Sequence, residues 1–75
     1  MLIRFFMKGD AKERYRVEGN LPVPQIGGEV FLPDDVNIYT VENVFYSYPT
    51  EEYDRMMVEV TLERKQFEEE WSDAD

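Results

Sequence analysis

The stretch NIYTVENVFYSY, residues 37–48, alternates apolar and polar side chains on two different phases. Tyr39 and Val41 share one parity, and Val44, Tyr46 and Tyr48 share the other. Successive side chains of a strand point to opposite faces, so an unbroken strand would turn the two halves opposite ways. One extra residue near Glu42-Asn43, a β-bulge, restores a common facing and bends the strand. Bent strands let a small sheet curl towards a barrel. This segment therefore predicts a curved, all-β fold.

The flanking sequence agrees. Residues 2–7, LIRFFM, read as an apolar strand, and KGDA supplies a glycine-containing turn. KERYRVE then returns with Tyr15 and Val17 on one face and Arg14, Arg16 and Glu18 on the other, which together make a hairpin. In GNLPVPQIGG, Pro22 and Pro24 favour an extended path without ladder hydrogen bonds, and Gly27-Gly28 turns the chain. EVFL is a short strand stopped at Pro33-Asp34-Asp35. After the turn PTEEYD, RMMVEVTLER places Met56, Val58, Val60 and Leu62 inward and Met57, Glu59, Thr61 and Glu63 outward. Five strands with short connections predict a meander forming a small, partly open SH3-like barrel or a curved sheet.

Seventy-five residues allow one domain, expected over residues 1–65, with residues 66–75 as an acidic tail or short helix. A chain this small buries only about 60% of the surface its unfolded form exposes. It has no cysteine and no histidine, which excludes disulfides and thiolate or imidazole zinc sites. Five Phe, five Tyr and one Trp supply the core instead. The apolar run at the N-terminus is interrupted by Arg4, too short for a signal peptide or a membrane span, so a soluble cytoplasmic protein is expected.

Net charge is −9 and unevenly placed. Residues 1–28 carry five bases against three acids, a balance of +2, whereas residues 29–75 carry three bases against fourteen acids, a balance of −11. A field of that sign repels nucleic acid and anionic membrane and attracts basic partners. On the last strand, outward residues recur about every 6.7 Å, so Glu59, Thr61 and Glu63 form a row whose positions are spaced on the scale of backbone phosphates. Glu51, Glu52 and Asp54 extend it at one end, and Glu68, Glu69 and Glu70 at the other. The bland alternative is that the charge only keeps the protein soluble. In the tail, Phe67 and Trp71 lie four apart, on one side of a helix if one forms; a solvated tail is the alternative.

Enzymatic chemistry is poorly supplied. Without histidine or cysteine, the candidate nucleophiles are two serines, three threonines and carboxylates, none beside an evident base. Asp34-Asp35 reads as a turn as readily as a cation site and lacks calcium-loop spacing, and Gly27-Gly28 lacks the rest of a phosphate loop. No cofactor or metal is expected, and the chain reads as a binding protein.

Two resemblances add to this. LPVPQIGGEVFLPDDVNIYTVENV, residues 21–44, resembles the Pro-x-x-Gly-x-x-Val, turn, Tyr-x-Val pattern of small SH3-like barrels in phage and mobile-element proteins. The size, acidity and lack of cysteine resemble the DNA-mimic inhibitors of bacteriophages, such as those aimed at a bacterial histone-like nucleoid protein. That likeness implies a host-cytoplasm inhibitor that blocks the basic nucleic-acid-binding surface of a host protein. The alternative is a structural or accessory phage module acting by self-association. Phe5 and Phe6 point to opposite faces, so a homodimer through the relatively basic N-terminal region is expected, with Phe6 as its ring.

Overall fold

The computed structural model describes residues 1–52 and 54–65. They form five strands, β1 (Leu2–Met7), β2 (Glu13–Glu18), β3 (Glu29–Phe31), β4 (Ile38–Ser47) and β5 (Met57–Arg64), in one strongly curled half-barrel. The all-β class and the curved sheet are as the sequence predicts. The expected tail or helix over residues 66–75 lies outside the described residues.

The bulge that the sequence requires is present. β4 pairs antiparallel with β5, and the register shifts between Val41 and Asn43, so that Val41 faces Leu62 and Val44 faces Val60. Both halves of β4 thereby turn their apolar residues to the concave side. There Ile3, Phe5, Leu32, Tyr39, Val41, Val58, Val60 and Leu62 are buried, with Tyr15, Val17, Val23, Val30 and Val44 packed around them. Val58, Val60 and Leu62 are wholly buried, so the even-numbered face of β5 is the centre of the core.

One link of the expected meander is different. The strand order is β2-β1-β5-β4-β3, and β2 does not pair with β3. Residues 19–28, with Pro22 and Pro24, carry the chain away from the ladder because proline has no N–H to donate. β1 takes its second neighbour from the far end of the sequence, pairing parallel with β5. The backbone bonds Leu2 N–H to Met56 O at 3.0 Å and Lys8 N–H to Leu62 O at 2.8 Å lie at the two ends of that ladder.

A second bulge lies in β2. Its register against β1 shifts so that Phe5 faces Tyr15 and Phe6 faces Glu13, leaving Arg14 as the extra residue. The turn before β3 is equally specific. Gly28 N–H donates to Gln25 O at 2.9 Å across Ile26-Gly27, with Gly27 at φ 88°, the geometry of a type II turn. The turn is docked on β4, since Gly27 N–H donates to Val41 O and Val41 N–H to Gly28 O, both at 2.9 Å. Gly27→Ala forces a side chain into the left-handed region and is expected to cost about 1 kcal/mol or more. Urea unfolding followed by far-UV circular dichroism measures it, with Ala11→Gly in the exposed β1–β2 loop as a control for composition.

Candidate protein-interaction site

Glu59 and Glu63 occupy the convex face of the central strand, and there the structure surrounds them with bases. β1 runs parallel to β5 with Arg4 opposite Glu59. The Arg4 guanidinium lies 3.4 Å from the Glu59 carboxylate and donates from Nε to Glu13 Oε1 at 2.5 Å. Glu13 also accepts from Arg16 Nε at 2.7 Å. Arg4 and Arg16 face each other across the β1–β2 ladder, so Glu13 bridges two like charges. Its carboxyl is held below the usual range by the Arg16 hydrogen bond first and the Arg4 bond second. Lys8 stands 3.2 Å from Glu42 and 3.4 Å from Glu63, and those two carboxylates raise its pKa, Glu42 the more. Glu42 is the bulged residue of β4. The convex face is therefore a lattice of alternating charge, and the expected row of bare carboxylates is interrupted at both Glu59 and Glu63.

Glu51, Glu52 and Asp54 are placed differently. They lie between β4 and β5, at the end of the sheet remote from Glu63, and are exposed. Among the described residues no base pairs with any of the three. The one base of this loop, Arg55, is committed to Glu18. Glu52, Asp54 and Arg55 line one concavity with Leu2, Arg16, Val17 and Glu18, so this loop folds back beside the end of the β1–β2 hairpin. Two aromatic rings stand at the same end of β4: Tyr46 is 53% exposed and Tyr48 72% exposed. Glu68, Glu69, Glu70 and Tyr53 lie outside the described residues.

The Asp34-Asp35 turn is structural. Asp34 has φ 61°, in the left-handed region that aspartate tolerates in turns. Asp35 Oδ1 accepts from the backbone N–H of Asn37 at 3.0 Å and from its side-chain amide at 2.9 Å. Asp35 Oδ2 accepts from the Tyr39 hydroxyl at 2.5 Å and from Arg14 Nη2 at 3.2 Å. The bulge in β2 thus aims Arg14 across the open side of the half-barrel, tying one edge strand to the turn beside the other. The Tyr39 hydroxyl, followed by the Asn37 backbone bond, lowers the Asp35 pKa from 3.8 to about 2. Its hydrogen bond to Asp35, and then burial, raise the pKa of Tyr39.

A pH dependence follows. Because the folded-state pKa of Asp35 is depressed, its contribution to stability is complete above the unfolded value near 3.8 and is lost as pH falls towards 2. Urea midpoints measured from pH 6 to pH 2 are expected to fall in that window, and Asp35→Asn is expected to flatten the fall while lowering the midpoint at pH 6.

Phe5 is buried in the core and Phe6 lies on the convex face, as their adjacency predicts. Phe6 is half-buried, with the Arg4 guanidinium 5.0 Å from its ring centroid. The sequence leaves the facing of Phe31 and Phe45 open: Phe31 on β3 is 66% exposed, and Phe45 lies on the same face as Phe6 and is 57% exposed. The bulge contains the signal for Phe45: if Val44 points inward, Phe45 points outward.

No protein-family model matches this chain, and no curated protein or solved structure is significantly similar to it. Its site is therefore read from its own chemistry. Among the described residues no helix is long and apolar enough to cross a membrane.

Proposed function

We propose that this chain is an acidic protein-binding module whose β4–β5 loop occupies a basic surface on another protein, one that the partner otherwise uses to hold nucleic acid. The observation that carries this reading is the contrast between the two sets of carboxylates. Glu59 and Glu63 have bases beside them, whereas Glu51, Glu52 and Asp54 have none among the described residues and stand at the end of the sheet where Tyr46 and Tyr48 are exposed. Carboxylates without a local partner are available to lysine and arginine from elsewhere. Exposed tyrosines beside them offer the rigid contact area that anchors protein interfaces. A net charge of −9 steers the encounter and discourages nucleic acid itself. Blocking such a surface is how a phage-type DNA-mimic inhibitor of a host protein acts in the cytoplasm.

The test is displacement. Labelled duplex DNA is bound to each of a panel of bacterial DNA-binding proteins, and the chain is titrated in. Release of the duplex from at least one target is expected, with direct binding to that target weakening as NaCl rises. Release from none, or binding indifferent to salt, defeats the proposal.

A second reading, a structural or accessory module that works by self-association, is favoured by one observation. A large ring, Phe45, is exposed on a face where charge is nearly balanced.

A further inference from the structure

We infer that the convex face of β1, β5 and β4 is the contact surface between two copies of this chain, with Phe45 at its centre. Three strands place its parts in register. Arg4, Glu59 and Phe45 form one row across β1, β5 and β4, and Phe6, Thr61 and Asn43 form the next. Phe6 and Phe45 therefore stand on either side of β5, two strand spacings across and one row along, about 12 Å apart. Together with Arg4, Glu59 and Thr61 they line one shallow concavity. Phe6 forms part of its wall under Arg4, and Phe45 projects beside it. A ring from a second copy fits that concavity as Phe45 of the first copy fits the second, the self-complementary arrangement that a two-fold axis requires.

Charge decides the occupant. The ion-pair lattice on this face contains Arg4, Lys8 and Arg16 against Glu13, Glu42, Glu59 and Glu63, three bases and four acids. With Asp10, which lines the same concavity, the face holds a balance of −2 within a chain of −9. It is the surface on which two copies approach without opposing their net charge. Its alternating signs also let a base of one copy meet an acid of the other. A strongly basic partner finds little free negative charge here, and an apolar partner meets charged side chains around a single projecting ring. The dimer leaves both β4–β5 loops uncovered, because they lie at the end of the sheet beyond this face.

The experiment is sedimentation equilibrium of the wild type, Phe45→Ser and Glu51→Lys/Glu52→Lys, each at 50 and 500 mM NaCl. Wild type is expected to dimerise at tens to hundreds of micromolar, and no less at high salt, where repulsion between two −9 chains is screened. Phe45→Ser is expected to weaken the dimer at least tenfold, and the loop reversal to leave it intact. A second measurement does not depend on the variant's fold. The chain has no cysteine, so a nitroxide on Asn43→Cys, beside Phe45, is expected to report a shorter distance between copies than one on Glu52→Cys. A wild type that stays monomeric at both salts overturns the inference, as does an undiminished dimer in folded Phe45→Ser or a shorter distance at position 52. Loss of partner binding in the loop reversal with the dimer retained separates this surface from the one proposed for the partner.

Discussion

Leu62→Ala is expected to lower the unfolding free energy by about 2–5 kcal/mol, the usual cost of a large-to-small change in a core. A chain of this size has a total stability of about 4–11 kcal/mol at roughly 0.05–0.15 kcal/mol per residue, so this one change removes a large share of it. Leu62 is singled out because it is wholly buried and is held in two ladders, facing Met7 on β1 and Val41 on β4. Truncating it opens a void where the parallel and antiparallel halves of the sheet meet. Val36→Ala, at a side chain that is 92% exposed, is expected to change stability little. Urea unfolding of both variants by circular dichroism gives the comparison. Equal midpoints would mean that the core is not centred on β5.

The second large effect is expected on binding. Glu51→Lys/Glu52→Lys replaces two unpaired acids with bases and is expected to weaken a basic partner on the order of 100-fold, given coupling energies of at least about 1.5 kcal/mol for close interfacial charge pairs. Glu59→Gln/Glu63→Gln removes as many carboxylates from the convex face. Because those carboxylates already face Arg4 and Lys8, the expected loss is only roughly fivefold, the long-range effect of two missing charges. Competition binding against labelled duplex distinguishes the two pairs. A larger loss from the convex-face pair would move the interface off the loop.

These residues also show how far the sequence reaches. The bulge at Glu42 is legible because a change of parity within one strand is a local signal, and the buried face of β5 is legible from strict alternation. The β1–β2 hairpin is marked by its own turn. The parallel pairing of β1 with β5 has no such mark. The two strands are more than fifty residues apart, and nothing in either run specifies its neighbour. That single pairing sets Arg4 opposite Glu59 and brings Lys8 to Glu63, so it also decides which carboxylates are neutralised. Charge counted along the chain made Glu59 and Glu63 equal to Glu51 and Glu52; the fold separates them. The Arg14 bulge was hidden for a related reason, since its meaning lies in Asp35 and Tyr39 across the open side of the half-barrel.

The central claim is that the β4–β5 loop, not the convex face, meets the partner. Its most direct measurement is an amide NMR titration of the isotopically labelled chain with a DNA-binding protein from which it displaces duplex. The largest changes are expected at residues 46–56, Glu51, Glu52 and Asp54 among them, with the amides of Arg4, Glu59 and Glu63 changing least. Changes centred on Glu59 and Glu63, or none with any protein of the panel, would contradict the account.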